Sequence, residues 1–73
     1  MDLIKFAMDD YKKMVDTGDI RDFTPYEVNS IWFILKDLSE GNESGTLSYK
    51  VSKWFSNHGF SAAENGIGWL IRM

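Results

Sequence analysis

The sequence predicts an α+β fold, three helices followed by a C-terminal β-hairpin, and three observations carry that expectation. Residues 47–73, LSYKVSKWFSNHGFSAAENGIGWLIRM, read as an amphipathic helix, a glycine stop and two apolar stretches that meet at Asn65-Gly66, the preferred pair for a tight hairpin turn. Residues 24–27 hold a strong helix-start signal. Residues 2–15 repeat apolar side chains at spacings of three and four, the period of a helix with one buried face. The outline is winged-helix-like, and its 73 residues make a single domain, 1–73.

The first helix is expected over 2–15. Leu3, Ile4, Ala7, Met8, Tyr11, Met14 and Val15 form its apolar stripe, and Asp9, Asp10, Lys12 and Lys13 fall opposite. Phe6 lies off the stripe. Gly18 stands just past the end, where a helix commonly stops. The connector to Phe23 is acidic, with Ile20 and Phe23 as its anchors.

The second helix is expected over 25–38. Thr24 supplies an N-cap hydroxyl, Pro25 suits the first turn because its missing N–H would have no partner there, and Glu27 completes the reciprocal capping box. Phe23 and Val28 stand at the positions of a hydrophobic staple. Val28, Ile31, Trp32, Leu35 and Leu38 form the stripe. Residues 31–35 are apolar without a break, more than one stripe needs. The expectation is a central helix packed on two sides. The alternative makes Tyr26 and Phe33, seven apart, an outward face for a partner or a second copy.

Residues 39–46, SEGNESGT, read as a flexible polar loop. They are no phosphate loop, because no strand precedes them and the glycine-lysine pattern is absent. The third helix is expected over 47–58, with Leu47, Val51, Trp54 and Phe55 inward and Tyr49, Lys50, Ser52, Lys53, Ser56 and Asn57 outward. Gly59 suits a left-handed cap that folds Phe60 onto Phe55. Hairpin strands follow at 60–64 and 67–72. A two-residue turn at Asn65-Gly66 pairs Glu64 with Ile67, Ala62 with Trp69 and Phe60 with Ile71, all on one face.

Composition narrows the function. A chain this short buries only about 60% of its unfolded surface. With no cysteine, its compensation is three Trp, five Phe and three Tyr. No stretch approaches a membrane span, and Asp2, Asp9 and Asp10 interrupt any secretory leader. The expected setting is a cytoplasm. One histidine and no cysteine leave no zinc set, and Asp16, Asp19 and Asp22 at every third position do not match a calcium loop. No cofactor is expected. His58 could act as a general base only with a nucleophile and an orienting acid nearby. Ser56 and Ser61 are close in sequence but nothing fixes their geometry, and the place of His58 at a helix C-terminus is explained by the helix dipole. A non-enzymatic role follows.

Charge is uneven. Residues 1–43 hold ten acids and five bases, and residues 44–73 hold one acid and three bases, summing to −3. In a DNA-binding helix the outward set Tyr49, Lys50, Lys53 and Asn57 would meet the major groove. A pI near 4.9 opposes that, since phosphate binding needs many cations. Protein binding suits the composition better, with Asp16, Asp19, Asp22, Glu40 and Glu43 as an acidic contact surface around helix 2.

The ending V-S-K-W-F-S-N-H-G-F followed by N-G-I-G-W-L-I resembles short proteins of phages and mobile elements of Gram-positive bacteria, a group that includes anti-CRISPR proteins. The resemblance spans residues 47–73 and carries no functional residue across. It implies a phage-type inhibitor in the cytoplasm of a bacterial host. Its partner would be a CRISPR effector or another nuclease complex. Direct DNA binding through helix 3 and a homodimer through Tyr26 and Phe33 are the alternatives.

Overall fold

The computed structural model describes residues 2–73. The chain is α+β, with helices α1 (Leu3–Asp16), α2 (Pro25–Ser39) and α3 (Tyr49–Asn57) and strands β1 (Ser44–Thr46), β2 (Ser61–Glu64) and β3 (Trp69–Arg72). The strands make one antiparallel sheet in the order β1-β3-β2.

Each helix begins where a short polar side chain meets free backbone N–H groups. The Asp2 carboxylate accepts from the N–H of Ile4 and Lys5 at 3.0 and 3.2 Å. Thr24 and Glu27 form the full capping box at the start of α2. Ser48 Oγ accepts from Val51 N–H at 3.2 Å, so α3 starts after Leu47 and not on it. At the end of α3, Gly59 takes φ +93° and Phe60 N–H reaches back to the Phe55 carbonyl at 3.1 Å. The two rings then meet edge to face, 5.6 Å apart.

The core gathers Ala7 from α1, Ile31, Ile34, Leu35 and Leu38 from α2, Val51, Trp54 and Phe55 from α3, and Phe60 and Ile71 from the hairpin. Helix α2 is not packed on two sides. Its buried stripe includes Ile34, while Trp32 is pushed outward and stacks on Tyr11 at 5.7 Å. Tyr26 and Phe33 are 62% and 63% exposed. Three helices and a small sheet are enough to cover one side of α2 only, so the apolar run at 31–35 spills onto the surface. Val15 is likewise exposed at the end of α1.

Two expectations about the C-terminal half are corrected. Residues 44–46 are not loop but edge strand β1, with Ser44, Gly45 and Thr46 opposite Ile71, Leu70 and Trp69. Strand β3 is therefore central and paired on both sides. The hairpin register also differs by two residues. Ser61, Ala62, Ala63 and Glu64 pair with Arg72, Ile71, Leu70 and Trp69, and Asn65 to Gly68 form a four-residue connection. A shift of two keeps every side chain on its own face, so Ala62, Ile71 and Trp69 still share a face. The loop is closed by Asn65 N–H to the Gly68 carbonyl at 2.9 Å and by Gly68 N–H to Asn65 Oδ1 at 3.2 Å. Gly68 comes so close to β1 that a Cβ there would lie 2.5 Å from the Thr46 carbonyl oxygen.

Candidate functional site

Side chains selected in the sequence for opposite reasons converge on one face. Asp19 and Asp22 of the α1–α2 connector, with Asp10, Lys13, Met14 and Thr17 of the α1 side, line a cleft of about 440 Å³. A second cleft of about 320 Å³ is lined by Tyr49, Lys50, Lys53 and Asn57 of α3. Asp22, Phe23 and Trp54 border both. The face thus has an acidic bank, an aromatic wall and a basic bank. The connector is held against α3 by Lys50, whose Nζ donates to the Asp22 carbonyl at 2.6 Å.

The remaining acids stand apart. Asp16 ends α1, whereas Glu40 caps the far end of α2 and Glu43 follows it. A helix of 15 residues is about 22 Å long, so the five acids form no single surface. Glu43 lies 3.7 Å from Arg72, an exposed pair of little energetic weight.

Tyr26 belongs to a different patch. With Gly45, Thr46, Leu47, Asn65, Ile67, Gly68 and Trp69 it borders a groove of about 180 Å³ that contains no charged residue. Leu47 is 71% exposed and Ile67 85% exposed. Leu47 is expected in the core and Ile67 on the apolar face of the hairpin, and the local structure displaces both: Ser48 takes the cap of α3, and the four-residue hairpin connection puts Ile67 at its tip. Tyr49 extends the patch, its ring 5.7 Å from that of Trp69. Phe33 does not border this groove. The signals available in the sequence were Ser48, a stronger cap than Leu47, and the glycines on either side of Ile67.

Two tethers position these surfaces. Glu27 does more than cap α2. Its Oε1 accepts from Thr24 N–H at 2.9 Å, and its Oε2 accepts from the Ser48 hydroxyl at 2.6 Å. Because Ser48 caps α3, one carboxylate joins the starts of two helices. The Ser48 hydroxyl, then the Thr24 N–H, hold the Glu27 carboxyl below its ordinary value by stabilising the charged form. The second tether is His58, whose side chain is 11% exposed. Its Nδ1 lies 2.7 Å from the Trp54 carbonyl and its Nε2 2.8 Å from Asp10 Oδ2. Both partners are acceptors, so both bonds are complete only when each ring nitrogen carries hydrogen. The ring stacks on Trp54 at 4.0 Å and lies 5.5 Å from Phe6. Asp10, 48 residues away in sequence, is an acid partner that sequence spacing could not reveal, and both ring nitrogens of His58 are engaged.

Among the described residues, no group of three or more His, Cys, Asp or Glu could hold a metal ion, and no helix is long and apolar enough to cross a membrane. No protein-family model matches the chain, and no curated protein or solved structure matches it.

Proposed function

We propose that this chain is a small protein-binding module that works by docking and not by chemistry. The observation that carries the reading is the uncharged patch of Tyr26, Leu47 and Ile67. In a chain with 26% charged residues, three large apolar side chains left mostly in water around one charge-free groove are a liability unless a partner covers them. Ile67 stands at a hairpin tip braced by two hydrogen bonds, so it loses little conformational freedom on binding. Asp19 and Asp22 add long-range attraction for a basic partner, which raises association rate more than affinity.

In its finer form the reading is a phage-type inhibitor of a bacterial nucleic-acid-handling defence complex, such as a CRISPR effector, in the host cytoplasm. It rests on the resemblance of residues 47–73 and on the acidic balance of residues 1–43, which suits a protein built to handle nucleic acid. The test is inhibition of target cleavage by a panel of purified CRISPR effectors, with wild type beside the Leu47→Ser/Ile67→Ser variant. Inhibition lost in the variant supports both levels. Inhibition unchanged by it removes the patch. Failure against every effector removes the finer reading, and the patch is then tested by capture from bacterial lysate with the same pair.

A winged-helix DNA-binding regulator is the second reading. The convergence of Tyr49, Lys50, Lys53 and Asn57 on one cleft favours it, as does the β1-β3-β2 order with the hairpin placed as a wing. Against it, α2 and α3 are joined through β1 and not by the short turn of a helix-turn-helix, and Lys50 is already bonded to the acidic connector. Salt-sensitive, sequence-selective mobility shifts would favour this reading over the first.

A further inference from the structure

The two-sided face around Phe23 and Trp54 carries an inference separate from the apolar patch. Among the described residues, Asp19, Asp22 and Lys53 have no ion-pair partner in their own chain. Asp10, by contrast, is engaged by His58, and the Lys50 ammonium by the Asp22 carbonyl. The free charges therefore sit as opposite signs on the two sides of one aromatic wall. Asp19 borders one cleft and Lys53 the other, with Asp22 on the wall between them and Lys13 also on the acidic side. A two-fold axis lying in an interface brings each side of a surface against the other side of its copy. An axis along the Phe23–Trp54 wall would lay Lys53 of each copy against Asp19 of the other. The acidic cleft, about 440 Å³, has room for a lysine side chain, and the wall supplies apolar and aromatic surface at the centre, where interfaces concentrate their affinity.

We infer that this face is a self-complementary interface for a second copy of the chain, with Lys53 entering the acidic cleft of its partner copy. Leu47 and Ile67 border neither cleft of this face, so the dimer presents the apolar patch twice, while the attraction of Asp19 and Asp22 for a basic partner belongs to the free chain.

Sedimentation equilibrium of the full chain tests this with complementary charge swaps. Wild type forms a dimer that weakens as salt is raised, because exposed pairs are screened. Lys53→Glu places acid against acid at both symmetry-related contacts, and Asp19→Lys places base against base. Each alone lowers the association constant by about tenfold or more. Mixed in equal amounts, the two variants restore association, since every contact is again between opposite charges. Both side chains are exposed, and circular dichroism verifies that each variant is folded. Ile67→Ser dimerises like wild type. A wild type that stays monomeric at submillimolar concentration overturns the inference. So does either swap that dimerises unchanged, a mixture that fails to recover, or a dimer abolished by Ile67→Ser.

Discussion

Gly68→Ala puts the observed sheet to a direct test. A Cβ at this position would sit 2.5 Å from the Thr46 carbonyl oxygen and 3.1 Å from a Leu47 methyl, whereas ordinary contact begins at 3.4 Å. The difference, 3.4 − 2.5, requires β1 and the hairpin to separate by roughly 0.9 Å at that point. The neighbour is backbone, so no rotamer change relieves it. A backbone hydrogen bond near 2.9 Å, stretched by that amount, is no longer a bond, and each one lost costs about 1 kcal/mol. Overpacking of this kind costs about 1–3 kcal/mol, so about 2–3 kcal/mol is expected in all. At 0.05–0.15 kcal/mol per residue, the whole domain has only about 4–11 kcal/mol.

Gly45→Ala is the internal control. The nearest atom to its Cβ is the Trp69 carbonyl oxygen at 3.7 Å, and its φ is not in the left-handed region. Alanine there restricts the unfolded chain and gains about 0.4–1 kcal/mol. Urea unfolding followed by tryptophan fluorescence separates the two. With a slope near 1 kcal/mol per molar for so small a domain, the Gly68→Ala midpoint drops by about 2–3 M while that of Gly45→Ala holds or rises. In the two-residue-turn register, Gly68 would lie opposite Ala63 as an ordinary strand residue and would tolerate alanine. Equal midpoints for Gly68→Ala and wild type would therefore refute the four-residue connection and the docking of β1 against it.

Other expectations follow from the tethers and the surface. His58→Ala removes bonds to both Asp10 and the Trp54 carbonyl, and thermal unfolding should show a loss of about 2 kcal/mol. In a double-mutant cycle, Asp10→Ala adds less than its separate cost, and full additivity would mean that the pair does not interact. Glu27 has a folded-state value below its ordinary 4.5, so its contribution is complete above that pH. It disappears as pH falls from there through the lowered folded value. Glu27→Gln should flatten stability against pH across that acid window, and an unchanged profile would mean that Glu27 is not a source of acid lability. Leu47→Ser and Ile67→Ser should each change stability by less than about 0.5 kcal/mol, since both side chains are mostly in water. A larger loss in chemical denaturation would show that they serve the fold.

The parts of the fold legible in the sequence are those specified by local chemistry. Thr24-Pro25 with Glu27 announces α2 because the cap, the missing N–H and the reciprocal carboxylate act within four residues. Gly59-Phe60 announces the end of α3 in the same way. Strand β1 was illegible because Ser44-Gly45-Thr46 has no apolar alternation and owes its conformation to the edge of β3, a partner more than twenty residues away. The hairpin register also depends on a distant partner. Asn65-Gly66 favours a two-residue turn locally, but close approach of Gly68 to β1 selects the longer connection. The site divides along that line as well. Tyr49, Lys50, Lys53 and Asn57 were recognisable as one helix face, while their meeting with Asp19 and Asp22 depends on how the connector lies across α3.

The tethers join the elements that carry the two surfaces. Glu27 joins the start of α2, which carries Tyr26, to the start of α3, which carries Tyr49 and Lys50. Ser48 is the shared element, and Leu47 immediately before it belongs to the apolar patch. Moving α3 relative to α2 would therefore alter the patch and the Phe23–Trp54 face together. His58 acts at the other end of α3, tying it to α1 through Asp10, and Asp10 borders the acidic cleft. A helix of nine residues is too short to hold its own position in water, and here each end is fixed by a carboxylate from another helix. The consequence is that weakening either carboxylate should change surface chemistry before it unfolds the core. Asp10→Ala frees the His58 end beside the acidic cleft, and Glu27→Gln loosens the end beside Leu47. If α3 is the rigid link between the two faces, each substitution weakens the function of the face at its own end first, and protection of α3 amides from hydrogen exchange falls from that same end.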